Sequence, residues 1–404
     1  MTLYADGGTT AVGSGTVTAG AFTITTTTDF AAGPHSLIAT EADAAALTST
    51  ASSPLTLTIA APSPPSPPPP SPMVIDASGQ SVDLGPNDVI VTIGGTADTI
   101  SGGSGSDAIT DLTGDNTISG GSGPDTIRDF GSNDSIVAGS GNDYVSAFSS
   151  DDTIDGGSGV DTISAFGAGN LVAGGTGPDS ISVFGGSDTV VAGSGDDVIG
   201  AYGDGDEVAG GSGFDTITAF GGGDTITGGT GPDTISAFGT DDQITAAGGN
   251  AQILVYGGND TITSGSGLDT ISVFGDDDAV IGATGASVVS VNGDADTVSI
   301  GSGPESISLG GTNGTVQAGV LGNTTAATVT LTGTSMTFAD GPNTYADTVS
   351  GFSTAAGDTI KLSVGDSVAS SSQVNNGADT LISLSSGSTI LLKGVSQIDS
   401  TFFS

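Results

Sequence analysis

GGSGFDTITAFGGGDTITGGTGPDTISAF, residues 210–238, places an aspartate at every ninth position (Asp215, Asp224, Asp233) and an isoleucine two residues after each one. Followed in both directions, the frame runs from Asp98 to Gly314 over 25 positions, 19 of them Asp, and Ile or Val stands two residues past all 25. The others are Asn116, Asn170, Ala251, Ser287, Glu305 and Gly314, so the pattern wears away toward its end. A globular core does not need so strict a count. A stack of identical nine-residue units does.

The linkers between frame positions alternate with period 18. One kind is GGSGPD (Gly120 to Asp125) and the next AFGGGD (Ala219 to Asp224), so two nonapeptides make one coil. Runs such as Thr234-Ile235-Ser236 are short strands with the β-branched residue pointing in and the hydroxyls out. About 12 coils stacked roughly 4.8 Å apart predict a parallel rod about 60 Å long. One core side chain in nine sets about 1.5–3 kcal/mol of burial against about 1–2 kcal/mol of backbone ordering per residue, which predicts a marginal array without a further source of stability.

Turns of the type GGxGxD recur at residues 102–107, 120–125, 156–161, 174–179, 210–215 and 228–233, with near matches at 138–143, 192–197 and 264–269. Their glycines permit positive φ and expose backbone carbonyls, and the last residue supplies a carboxylate. Like carboxylates roughly 5 Å apart along a stack repel, and a hard divalent cation between coils reverses that sign. Oxygen-only ligands suit Ca2+. The candidate metal residues are Asp107, Asp125, Asp143, Asp161, Asp179, Asp197, Asp215 and Asp233, with the turn glycines Gly103, Gly105, Gly121, Gly123, Gly157, Gly159, Gly175, Gly177, Gly211, Gly213, Gly229 and Gly231. Binding energy would then be folding energy. The bland alternative is a solenoid whose aspartates only cap turns.

This repeat, GGxGxDxUx, resembles that of the RTX (hemolysin-type) calcium-binding proteins over about 225 residues. The resemblance implies an all-β fold, a right-handed parallel β-roll or β-helix, with an ion bridging successive turns: Asp107 with Asp125, and onward to Asp215 with Asp233. Ala251 and Ser287 interrupt that column, which leaves Asp269 without a partner carboxylate. On the other edge Phe or Tyr takes the place of the second glycine every 18 residues, from Phe130 to Phe274, a departure from the family pattern. Either the rings close that edge by stacking, or they form an exposed strip that binds sugar or a second rod.

Composition narrows the function. Three basic residues (Arg128, Lys361, Lys393) against 45 acidic ones give a net charge of −42, which excludes nucleic acid or an anionic membrane as partner and points to cations. With no cysteine and one histidine, His35, the usual nucleophile and metal-hydrolase constellations are lacking, and a non-enzymatic protein is expected. No apolar run reaches the roughly 18 residues of a membrane span, and Met1 to Gly8 does not read as a Sec signal.

Outside the array, residues 1–61 read as antiparallel strands, with alternating runs at Ala21–Thr25 and Leu55–Ile59. The segments TLYADGG, AGPHSLIATEAD and SSPLTLTIA resemble the later strands of a bacterial Ig-like module. That module's opening strands are missing, which implies a truncated chain or a misplaced start. His35 lies inside this match and reads as structural. Residues 62–73 hold PSPPSPPPPSP, a polyproline spacer. The roll is expected over 74–319, with Asn87-Asp88-Val89-Ile90 one residue out of frame as an entry rung, and a β-rich cap over 320–404. The segments ADTVSGFSTAAGDTIKL, GADTLISLSSGSTILLKGV and SQIDSTFFS resemble the C-terminal region of RTX proteins exported by the type I secretion machinery, implying an extracellular protein that folds outside the cell. Three functions follow as expectations: a secreted Ca2+-binding adhesin-like or matrix protein with a cell-surface or polysaccharide ligand; the secretion and folding module of a larger exported enzyme or toxin; and ice binding through outward Thr and Ser rows, which Arg128, Asp155, Leu254 and Ile281 interrupt.

Overall fold

A computed structural model describes the chain except for residues 16, 19–20, 23–24, 27–29, 32, 43–47, 60–72, 319–325, 342–345, 399 and 404. It divides into two units, Met1–Pro69 and Pro70–Ser404. The spacer expected at 62–73 lies outside the described residues apart from Met73, which is already a strand residue.

In the first unit, strand Thr2–Ala5 pairs antiparallel with both Ala11–Ser14 and Gly33–Thr40, and Leu55–Ile59 and Thr25–Thr26 add at the two edges. The run expected at Ala21–Thr25 is described as strand at Ala21–Phe22 and again from Thr25; residues 23 and 24 between them lie outside the described residues. His35 places Nδ1 2.7 Å from Asp6 Oδ2 and Nε2 2.7 Å from the Ala31 carbonyl oxygen. The hydrogen bond to Asp6 and then that to Ala31 favour the charged ring and raise its pKa. The chain's one histidine therefore pins a strand to a turn.

The second unit is a parallel β-solenoid of about 15 turns. Strand Thr216–Phe220 pairs with Thr234–Thr240 with Thr216 opposite Thr234, and strand Thr225–Thr230 pairs with Gln243–Gly248 with Thr225 opposite Gln243. The 18-residue step makes one coil of two nonapeptides, each nonapeptide feeding one of two sheets. All 25 Ile and Val residues two past the frame position lie in the interior at no more than 2% exposure. They are not alone there. Strand alternation turns three positions of each unit inward: in one of them Asp215 (1%), Ile217 (0%) and Ala219 (0%). The expectation of one core side chain in nine therefore undercounts. The third inward residue is most often Ala or Gly, and it reads in the sequence as part of the turn.

Both ends differ from expectation. At the entry, Val91 pairs with Ile109 and is fully buried while Ile90 is 38% exposed, so the ladder there is in frame and the apparent offset is a coincidence of lettering. Toward the C-terminus the ladder does not stop at 319. Ser306 lies opposite Thr328, Thr315 opposite Thr337, Thr328 opposite Thr348 and Thr337 opposite Thr359. The turns have lengthened by two to four residues while the strands keep stacking, which hides further rungs that the reading from sequence assigned to a cap. The capping elements start later. Strand Thr389–Leu392 pairs parallel to Ala346–Ser350 and antiparallel to Asp379–Leu384, and Phe403 bridges to Ile360. The strands Thr389–Leu392 and Asp379–Leu384 thereby extend one sheet past its last rung, and the Phe403 bridge touches the edge of the other.

Candidate metal columns

The frame aspartates point inward because they sit where the chain leaves one strand ladder for the next and a backbone N–H would otherwise be stranded. Each Oδ1 accepts the N–H of the frame residue one coil earlier. Asp107 donates to Asp125 at 2.7 Å, Asp125 to Asp143 at 2.7 Å, Asp143 to Asp161 at 2.8 Å and Asp161 to Asp179 at 2.8 Å. Asp179 donates to Asp197 at 2.8 Å, Asp197 to Asp215 at 3.0 Å and Asp215 to Asp233 at 3.1 Å. All eight predicted aspartates thus stand in one column. The second oxygen, Oδ2, of every one of them is buried with no hydrogen-bond partner among the described residues.

Burial in that column pushes Asp125, Asp179 and Asp215 up to about 6, with the neighbouring carboxylates adding to the shift. Asp107, Asp143, Asp161, Asp197 and Asp233 move in the same direction, burial again being the largest cause. A line of buried, unpartnered carboxylate oxygens calls for positive charge.

The first glycine of each turn, which the predicted set leaves out, provides the room. A Cβ on Gly120 would lie 2.5 Å from Asp125 Oδ2, and one on Gly228 2.7 Å from Asp233 Oδ2, so the residue facing the free oxygen must be very small. Gly121 has φ +105°, and a Cβ there would meet the Gly103 carbonyl oxygen at 2.2 Å. The turn glycines stack in register, Gly121 on Gly139, Gly157 on Gly175 and Gly211 on Gly229, so their carbonyls come in rows beside the carboxylates. Gly123, Gly159, Gly177, Gly213 and Gly231 repeat this one turn position further along with positive φ, whereas Gly105, the first of that row, has no positive φ. Every donor is a hard oxygen. The residues present fit Ca2+, which Asp107 to Asp233 and the turn carbonyls would hold.

Beyond Asp233 the column breaks as the sequence indicates. Asp269 still caps the Ala251 N–H at 2.9 Å, and Glu305 turns back onto the Gly301 N–H at 2.8 Å.

The aromatic edge has two layers. Inside, it carries the same carboxylate ladder, for example Asp224 N–H to Asp242 Oδ1 at 2.9 Å, again with unpartnered Oδ2 atoms. Outside, the rings from Phe130 to Phe274 form one unbroken stack with centroids 4.7–5.3 Å apart and planes within 15° of parallel. Phe130 is nevertheless 47% exposed and Phe274 40%. The two readings of the column are not exclusive: the rings pack on each other and still face solvent.

Sequence reasoning missed Asp111 and Asp129. They occupy the third inward position, where later coils carry Ala147, Ala165 and Val183, and both are fully buried. The available signal was TIRD (126–129) against TISAF (162–166), an aspartate at the position of an inward alanine.

The RTX calcium-binding nonapeptide repeat family matches residues 92–127, 130–163, 165–199, 200–235, 218–253 and 255–289. No curated protein matches the chain, and no solved structure does.

Proposed function

We propose, from the RTX calcium-binding nonapeptide repeats that the chain carries, that it is a secreted, non-enzymatic protein whose rod folds on Ca2+ outside the cell and serves as an adhesin-like or matrix-associated element. The observation that carries calcium-dependent folding is the column of eight aspartates, each with one buried oxygen left unpartnered. A metal-free rod holds this row of mutually repelling groups. Cations turn it into a source of stability, and extracellular Ca2+ at millimolar levels suits such modules.

Secretion is supported by the resemblance of residues 346–404 to type I export regions. The adhesin-like role is supported by the resemblance of the N-terminal segments to an Ig-like module and by the exposed aromatic stack. The non-enzymatic reading rests on the lack of cysteine and on the engagement of the one histidine with Asp6.

The test of the central claim is far-UV circular dichroism of the full chain in chelator and in millimolar Ca2+. A gain of β signal with a melting transition moved up by Ca2+ is expected, and an unchanged spectrum with unchanged melting overturns it. Export is tested by deleting residues 380–404 and, separately, by appending 346–404 to a reporter. The second arm is needed because the deletion also removes the capping strand Thr389–Leu392. Undiminished export of the deleted chain, or a retained reporter, refutes the type I route.

A further inference from the structure

We infer that Asp111, Asp129 and Asp134 form a separate interior cation site, selective for a hard divalent ion of the Ca2+ class, near the N-terminal end of the solenoid and on the edge away from the glycine turns. It does not rest on the calcium reading of those turns, because none of their residues takes part.

The site arises from a change in one inward column. Asp111 pairs with Asp129 and Asp129 with Ala147 across neighbouring strands, so the two acids are stacked where every later coil of that sheet is apolar. Asp111 and Asp129 are fully buried and Asp134 is 2% exposed. One oxygen from each lies within 4.8 Å of the other two, the separation of donors set about 2.4 Å from a shared ion.

Hydrogen-bond accounting shows what is left over. Asp111 is satisfied: it accepts the Thr113 N–H at 3.0 Å and the Asn116 side-chain amide at 2.8 Å. Asn116 is one of only two asparagines in the frame, and at this coil its amide answers the buried acid. One coil later no such answer exists. Asp129 accepts the Gly131 N–H at 2.9 Å and Asp134 the Asn116 N–H at 2.6 Å, and the second oxygen of each is buried without a partner. Coulombic neighbours of this pair are Asp111 and Asp152, further acids, and burial raises both members of the pair. Arg128, the nearest basic residue in sequence, sits at an exposed strand position and faces away. Asp129 and Asp134 come within hydrogen-bonding reach of each other, beside a third acid and with only acidic charges acting on both, an arrangement that a bound cation relieves.

The test is the number of Ca2+ ions bound per chain, measured by equilibrium dialysis of the full chain, for the wild type, Asp129→Ala and Asp129→Asn. Alanine is what the next coil carries at this position, and asparagine keeps the shape, so circular dichroism at saturating Ca2+ is expected to stay unchanged. Both variants are expected to bind one ion fewer than the wild type. Asp161→Asn on the glycine edge, by contrast, should lower the count while leaving a further drop on adding Asp129→Ala. Equal counts in the wild type and both Asp129 variants overturn the site, as does a loss of one titrating proton at an unchanged ion count, which would mean a shared proton holds the pair. A wild type that binds one ion, lost on substituting Asp129, keeps this site while refuting the glycine-turn reading.

Discussion

Asp161→Asn separates the two jobs that the structure gives a frame aspartate. Oδ1 of Asp161 caps the Asp143 N–H at 2.8 Å, while Oδ2 is buried and unpartnered. The protein already contains the control, because Asn116 and Asn170 occupy frame positions and cap Asp98 and Asp152 through Oδ1 at 2.8 and 3.0 Å. Asparagine at 161 therefore keeps the cap and removes the charged oxygen; alanine removes both. Without Ca2+ at pH 7 the asparagine variant should be at least as stable as the wild type, since a buried charge that burial disfavours has gone. The alanine variant leaves a buried N–H unpaired and should lose about 1–3 kcal/mol. With Ca2+ the order reverses. An ion bound on each side of Asp161 at a hundred times its Kd stabilises by about 2.7 kcal/mol, so losing both costs the asparagine variant about 5 kcal/mol relative to the wild type. Urea titrations followed by far-UV circular dichroism, with chelator and with Ca2+, read all four numbers. The chain has no tryptophan to report otherwise. If Ca2+ stabilises Asp161→Asn as much as the wild type, Oδ2 is not a ligand and the metal column is wrong.

The metal-free rod should respond to pH with the sign opposite to that of most proteins. Asp125, Asp179 and Asp215 have folded pKa values of about 6 against about 3.9 unfolded, so the folded state holds more protons between those limits. Its stability is full below about pH 4 and falls as pH rises through about 6, whereas Ca2+ affinity rises over the same window. A melting temperature in chelator that climbs from pH 4 to 7 contradicts this. Tyr202→Ala removes stacking against Phe184 at 4.8 Å and Phe220 at 5.3 Å and should cost about 1–3 kcal/mol, equally with and without Ca2+. A loss confined to the Ca2+ state would tie the rings to the metal. Gly121→Ala, forced into φ +105° with its Cβ 2.2 Å from a carbonyl oxygen, should destabilise by about 1–3 kcal/mol and lower Ca2+ affinity. Unchanged melting and binding would show that this turn is not close-packed.

The array was legible in the sequence for as long as its turns kept one length. A constant count of nine puts every frame residue in the same surroundings, so Asp, Ile and Gly recur and the 18-residue coil can be read directly. Beyond Gln317 the surroundings persist but the count does not. Ala327 donates its N–H to Asp347 at 2.8 Å and Met336 to Asp358 at 3.0 Å, the same cap at spacings of 20 and 22 residues. Register is set by strand pairing and survives turn insertions that destroy a periodicity. The misreading at Asp88-Val89-Ile90 has the same origin: the letters imitate a frame aspartate and its isoleucine, yet pairing with Ile109 selects Val91. Asp111 and Asp129 escaped notice because an acid beside a turn looks solvated until the alternation is carried to the third inward position.

That alternation also explains why the aspartate pattern decays. Frame residues face the interior, so each carries either a carboxylate or something that packs. In the last coils the interior is filled with Leu309, Leu331, Met336 and Phe338, all at most 3% exposed, and the frame reads Gly314, Ala327 and Met336 before Asp347 and Asp358 return as buried caps. Full burial of such side chains contributes about 1.5–3 kcal/mol each without any ion. The rod thus shifts its means of support along its length, from unbroken columns of carboxylates that repel until a cation arrives to a mainly apolar core with isolated acidic caps. In a stack where each coil contacts only its neighbours, a segment that orders by itself presents a finished strand edge to the next coil. A Ca2+-dependent coil added there need not nucleate on its own. The worn end of the repeat is, on this argument, the part of the solenoid that least needs the metal.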